Sequence, residues 1–264
     1  MKLDVQNVAF AYRPDTPVVH EVSFGLAEGE VLYVLGHNGS GKTTLLSCIS
    51  GVLRPTAGRV LLDGEDVRRY SPAERARRIG HVPQVHVPAF AYTAREMVLM
   101  GRAPHLGLFE SPRRADHAIA DDALESIGLA HLADRPYTEL SGGERQLVMV
   151  ARGLAQQARL LLLDEPDAHL DPKNQHRVLE LVVRLARQGL AFIVSSHAPN
   201  NALLYADRVL VMKQGRMLAL GSAAEVLTAP LLSAAYDMDT EVIYGENGQS
   251  HVPRAILPRR TPTQ

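Results

Sequence analysis

Gly36-His37-Asn38-Gly39-Ser40-Gly41-Lys42-Thr43-Thr44 lies between two apolar runs, Val31-Leu32-Tyr33-Val34-Leu35 and Leu45-Leu46-Ser47-Cys48-Ile49. The first run reads as a strand and the second as a helix. Strand, glycine loop, helix is the setting in which G-x-x-x-x-G-K-[ST] cradles a nucleoside triphosphate. Glycines at 36, 39 and 41 let the backbone curl until successive N–H groups point inward. The helix that follows adds the positive end of its dipole. Lys42 supplies a point charge for the β- and γ-phosphates, and the Thr43 hydroxyl suits Mg²⁺. A tight turn alone would not call for Lys-Thr after the glycines. The expected fold is therefore α/β, with a P-loop.

Working outward, short strand patterns flank the loop over Asp4–Phe10, Val18–Leu26 and Arg59–Leu62, the last followed by an Asp63-Gly64 turn. Pro72–Arg78 predicts a short basic helix and Ile79–Val82 another strand. From Gln84 the texture changes. Pro83, Pro88, Pro104, Pro112 and Pro136 punctuate helical stretches at Ala94–Met100 and Ala115–Ile127. This predicts an inserted helical subdomain over 84–140. The α/β rhythm then returns, with helices at Glu144–Ala155, Lys173–Gln188 and Asn200–Tyr205. Strands are expected at Leu160–Leu163 and Ala191–Ser195, and a hairpin at Arg208–Met212 and Arg216–Leu220. The core thus comprises 1–83 and 141–228. The remaining 229–264 is a weakly patterned extension with a strand at Glu241–Tyr244 and a mobile end from Pro258.

Composition narrows the function. A length of 264 residues suffices for a packed core, and the net charge of -1 carries no global basic footprint, against nucleic acid as a partner. The single cysteine, Cys48, excludes an internal disulfide and reads as a small core residue. Met1-Lys2-Leu3-Asp4-Val5 has no basic-then-apolar leader. No apolar run approaches the ~18 residues that cross a bilayer, so a membrane role would need a partner.

A P-loop is shared by many enzymes, and a second stretch is more selective: Leu140-Ser141-Gly142-Gly143-Glu144-Arg145-Gln146. Its serine hydroxyl and glycine amides at a helix start suit a γ-phosphate, although a serine N-cap explains the local pattern equally well. Here the chain resembles the nucleotide-binding subunits of ABC transporters, whose signature is LSGGQ or LSGGE. The resemblance spans about Leu3 to Thr228. It implies a P-loop NTPase fold, with a RecA-like core, an antiparallel β subdomain and the inserted helical subdomain.

The resemblance also assigns roles. Leu160–Leu163 followed by Asp164-Glu165 looks like a Walker B strand, with Asp164 on Mg²⁺ and Glu165 as general base. Gln84 matches the Q-loop glutamine that contacts Mg²⁺ and the attacking water, and His197 matches the switch histidine. Asp171, in His169-Leu170-Asp171-Pro172, matches the D-loop aspartate. Tyr12 matches the aromatic that stacks on adenine, with a strand-edge tyrosine as the competing reading. The cofactor-binding set implied is thus Tyr12, Gly36 to Thr44, Ser141, Gly142, Gly143 and Asp171, for ATP with Mg²⁺.

Departures are few. Asp167-Ala168 stands where family members commonly carry Thr-Ser. His37 replaces a frequent proline, and Ala198-Pro199-Asn200 follows the histidine instead of Asp-Leu-Asn. None removes a group with an assigned chemical role.

The family works as a head-to-tail pair of subunits sandwiching two ATP molecules, each bound between one P-loop and the opposing signature loop. Implied partners are a second copy, transmembrane permease subunits and, indirectly, a solute-binding protein; the implied location is the cytoplasmic face of the inner membrane. Phe90 to His105 resembles importers of iron–siderophore, haem and cobalamin complexes. An Ala-Tyr at 91–92 and His-x-Pro-Asn at 197–200 are shared with molybdate and tungstate importers. The expectation is a metal-chelate importer ATPase, iron complexes first. A soluble ABC ATPase acting on nucleic acid is the contrasting class, and it commonly adds tandem modules, zinc hooks or coiled coils that this chain lacks. A non-hydrolysing module is opposed by Glu165 and His197 together.

Overall fold

The structure is a computed structural model that describes residues 1–84, 90–107, 109–168, 170–245 and 253–259. Its centre is a six-stranded sheet in the order β10-β9-β3-β8-β7-β6. These strands are β3 (Val31–Leu35), β6 (Ile79–Val82), β7 (Leu160–Asp164), β8 (Ala191–Ser196), β9 (Arg208–Lys213) and β10 (Arg216–Gly221). All neighbours pair in parallel except β9 and β10. Strands covered on both faces read as continuous apolar runs. Every residue of β3, β7 and β8 is accordingly buried.

Alternation divides those runs between two cores. Val31, Tyr33, Leu35, Leu161, Leu163, Phe192 and Val194 face one side. Its helices include α3 (Ala94–Leu99), α4 (Arg114–Ser126), α5 (Gly142–Ala155) and α6 (Pro172–Ala186). Leu32, Val34, Leu160, Leu162 and Ile193 face the other. There they meet helix α1 (Lys42–Ile49) and a second, antiparallel sheet of order β2-β1-β4-β5. That sheet is made of β1 (Lys2–Arg13), β2 (Thr16–Ala27), β4 (Ala57–Leu62) and β5 (Glu65–Asp66). Cys48, on α1, is fully buried, which pushes its thiol pKa up to about 11.

Parallel register sets up the site. Leu35 pairs with Ser196, Ser195 with Asp164, and Leu163 with Val82. The strand ends therefore line up, and Gly36, His197, Glu165 and Gln84 all follow at one sheet edge. Ligands of open α/β sheets bind outside the carboxyl ends of the strands.

The extension differs from its sequence reading. After α8 (Ala223–Val226), which closes the core, it is built from α9 (Ala229–Tyr236) and a hairpin of β11 (Thr240–Tyr244) with β12 (Pro253–Pro258). Neither α9 nor β12 is evident in the weak pattern. Pro258, expected to begin a mobile end, closes β12; residues 260–264 lie outside the described residues. The hairpin is fastened to α7 (Pro199–Tyr205): Asn200 Nδ2 donates to Ile256 O at 3.0 Å, and Ile256 N–H donates to Asn200 Oδ1 at 2.8 Å. Residues 85–89, Pro88 among them, and 108 of the expected helical insertion, and His169, two residues before Asp171, also lie outside the described residues.

Candidate functional site

The loop after β3 closes through two glycines. A Cβ on Gly36 would meet Met212 O at 2.5 Å, and Gly41, at φ +98, would strain any other residue. Gly41 is the N-cap of α1 without a side-chain cap, and no acidic residue sits in the first turn. The free N–H groups of that turn therefore face a cavity of about 300 Å³. Asn38, Gly39, Gly41, Lys42, Thr43 and Thr44 line it, with Val18, Gln84 and Glu165.

One carboxylate gathers the remaining chemistry. Glu165 Oε1 lies 3.4 Å from Lys42 Nζ, while Oε2 accepts from Gln84 Nε2 at 3.0 Å. The ring nitrogen Nδ1 of His197 lies 3.2 Å from Oε2. Lys42, only 4% exposed, also donates to the carbonyls of Gly36 (2.9 Å) and His37 (3.2 Å). Glu165 itself has φ +47, an uncommon conformation for a residue with a Cβ. Its amide holds that turn by donating to Ser195 O at 3.1 Å and Ser195 Oγ at 3.0 Å. Local strain of this kind concentrates at functional sites.

Asp164 ends β7 beside this group, and its Oδ1 accepts from Ser195 Oγ at 2.5 Å. Ser195 thus ties both acidic residues to β8, a role the sequence reading did not give it. The signal was present as two serines ending an otherwise apolar strand. Asp167, passed over as a neutral departure, is also engaged: it is buried and accepts from Ser196 and Asn201.

Ser40 is fully buried, its backbone carbonyl accepting from Gly215 N–H at 2.9 Å, and His37 turns Nδ1 onto Asn38 O at 2.6 Å. Neither lines the cavity. Tyr12 stands 65% exposed at the end of β1, edge-on to Phe10 at 4.9 Å between ring centroids. Tyr236, on α9, lies close enough to Gly36 and Glu165 to feel both but does not line the cavity. Burial pushes its phenol pKa far up, the Gly36 N–H pulls it down, and the Glu165 charge adds to the rise.

The signature residues form a separate cluster. Ser141 caps α5 through a reciprocal box: Glu144 N–H donates to Ser141 Oγ at 3.3 Å, and Ser141 N–H donates to Glu144 Oε2 at 2.8 Å. A Cβ on Gly143 would sit 2.3 Å from Asn174 Cγ. Asn174 in turn donates to Asp171, the N-cap of α6, from its backbone at 2.9 Å and its side chain at 2.6 Å. These bonds hold the Asp171 carboxyl below the usual carboxylate range. Neither Ser141, Gly142, Gly143 nor Asp171 lines the P-loop cavity.

A larger groove, about 670 Å³, runs between the end of α4 and α6. Two of its basic side chains, Arg177 and Arg184, already donate to the carbonyls of Ile127 and Ser126.

A phosphate cradle at one strand end, facing a buried glutamate at the end of a nearby parallel strand, defines a P-loop nucleoside triphosphatase. Residues 19–168 match the ABC transporter family. The hemin import ATP-binding protein HmuV of Myxococcus xanthus is 41% identical over 98% of this chain and 99% of its own length. The molybdate import ATP-binding protein MolC of Haemophilus influenzae is 36% identical, covering 89% of this chain and 88% of its own. A metal-chelate type ABC transporter solved in an inward-facing conformation superposes with a TM-score of 0.85 at 34% identity, over 98% of this chain and 97% of that one. The chain belongs to the ABC transporter family, as its ATP-binding subunit.

Proposed function

We propose that this chain hydrolyses ATP to energise uptake of a metal chelate by a bacterial importer, with an iron complex, haem or siderophore, as the first choice of solute. The observation that carries the enzymatic part is the convergence of Lys42, Gln84 and His197 on the carboxylate of Glu165. The solute rests on the kinship with hemin importers and with the metal-chelate type transporter. Molybdate, tungstate or cobalamin is the second reading, favoured by the MolC relative and by a cobalamin import relative 42% identical over 84% of this chain.

In this mechanism the P-loop amides and Lys42 bind the phosphates of ATP, and the exposed Tyr12 ring stacks on adenine. Glu165 accepts a proton from the attacking water as general base. Gln84 and His197 fix the direction of its carboxylate, and His197 reaches the γ-phosphate. Thr43, Asp164 and Gln84 offer oxygen donors of the kind Mg²⁺ prefers. Among the described residues no group of three or more His, Cys, Asp or Glu could hold a metal. When bound, that ion neutralises charge on the β- and γ-phosphates.

Ser141, Gly142, Gly143 and Asp171 act on the nucleotide of a second copy in a head-to-tail pair. The 84–140 insertion responds through Gln84 at its start. Among the described residues no helix is long and apolar enough to cross a membrane. The work is passed to permease subunits, with the chain peripheral at the cytoplasmic face and a solute-binding protein acting from the other side.

Reconstitution with the cognate permease and binding protein tests the reading. Ferric chelates should stimulate ATP turnover, and the Glu165→Gln variant should abolish it while ATP-bound pairs accumulate on size-exclusion chromatography. Stimulation by molybdate with none from ferric chelates would overturn the iron assignment.

A further inference from the structure

The histidine that reaches Glu165 is itself loosely held. His197 is 50% exposed, and among the described residues its ring makes one polar interaction, at 3.2 Å, with Glu165. Its position therefore depends on the backbone of 196–201. That segment is gripped at both ends by one carboxylate oxygen, Asp167 Oδ2. Ser196 Oγ donates to it at 3.0 Å, and Asn201 Nδ2 donates to it at 2.5 Å. Ser196 Oγ also accepts the Ala198 N–H at 3.1 Å, so both neighbours of His197 join the same chain of bonds. The turn carrying Asp167 is anchored separately, because Gln175 Nε2 donates to Asp167 O at 3.0 Å and Leu170 O at 3.1 Å.

Asp167 is 3% exposed, and its Oδ1 has no hydrogen-bond partner among the described residues. Tyr33, below it in β3, is raised far in pKa by burial first and then by the negative charge of Asp167. Burying a carboxylate with one oxygen unmatched is costly. Oδ2 nonetheless takes both donors, one from each end of the 196–201 segment.

We infer that Asp167 is a positioning residue: it clamps both ends of the segment bearing His197, so that the histidine and Glu165, two residues before Asp167, keep their mutual register during hydrolysis. This rests on the proposed ATPase reading, in which Glu165 and His197 act on the γ-phosphate.

Steady-state ATP hydrolysis by the full chain, reconstituted with its permease, tests it with Asp167→Ala, Asp167→Asn, His197→Ala and the double variant Asp167→Ala/His197→Ala. Asp167→Ala should lower kcat about 10-fold with KM for ATP unchanged, because the lost interaction serves the transition state more than binding. Asp167→Asn, which keeps an acceptor oxygen, should recover most of that loss. The double variant should be no slower than His197→Ala, the non-additivity expected of groups acting as one unit. Wild-type kcat in Asp167→Ala, or losses that multiply in the double variant, would overturn the inference. Should Asp167→Ala fail to fold, Ser196→Ala and Asn201→Ala release the clamp one end at a time, and wild-type kcat in both would equally overturn it. Full turnover by His197→Ala is a different outcome and removes His197 from the mechanism, whereas absence of ATP turnover in the unaltered chain would refute the ATPase reading itself.

Discussion

The loop before α1 and the loop before α5 both bring glycine to a helix start, but they dispose of the free N–H groups differently. Gly41 caps α1 with no side chain, and the first turn holds no acid. Ser141 caps α5 with a reciprocal serine–glutamate box, and Glu144 places a carboxylate in the first turn. An uncapped, acid-free helix start offers its amides and dipole to an outside anion. A boxed start has already spent one amide on Ser141 and carries a negative charge beside it. The first loop is thus a complete anion cradle within one chain. The second can add a hydroxyl and glycine amides to a phosphate but cannot by itself hold one, which suits a surface that closes on a nucleotide held elsewhere.

Breaking the first loop should have the largest effect. Lys42→Ala removes the buried ammonium and should weaken ATP affinity of the isolated chain about 100-fold, the scale of charged hydrogen bonds lost together; titration calorimetry with ATP checks it. Ser141→Ala should leave that affinity unchanged, lower stability by about 1 kcal/mol through the lost cap, and weaken the ATP-bound pair formed in a Glu165→Gln background. Chemical denaturation and size-exclusion chromatography separate these two effects. Reduced ATP affinity in the isolated Ser141→Ala chain would erase the contrast.

The smallest effect is on pH dependence. Glu144 titrates below its ordinary value of 4.5, chiefly through its bond from the Ser141 amide. A depressed carboxylate stabilises the fold at pH above that ordinary value, and the contribution fades as pH falls through the lower, folded value. Glu144→Gln should flatten this part of the acid limb of thermal stability, whereas α1, with no acid in its first turn, contributes nothing of the kind.

Legibility followed the distance between partners. The two glycine loops and the Asp164-Glu165 strand end are each written in a few consecutive residues: the first is legible from the residues themselves, the other two through the family resemblance. Continuous burial of β3, β7 and β8 made the sheet readable as well. Gln84 and His197 were placed by their position after short strands, although they meet Glu165 across 81 and 32 residues. The grip of Asp167 on Ser196 and Asn201 spans 29 and 34 residues and uses polar side chains with no local pattern. Nothing in Asp167-Ala168 by itself announces it. β12 was invisible for a similar reason: it is six residues bounded by prolines, with few inward positions, and it acquires its identity only from β11 and Asn200.

That last attachment has a consequence for biosynthesis. Chains fold largely from the N-terminus as they are made, and the P-loop, the acidic strand end and the histidine are all synthesised well before residue 256. Yet Asn200, on the helix α7 that begins two residues after His197, exchanges two bonds with the backbone of Ile256. A nascent chain can therefore own every motif residue and still lack the brace on α7. The brace on α7 waits until Ile256 has been made.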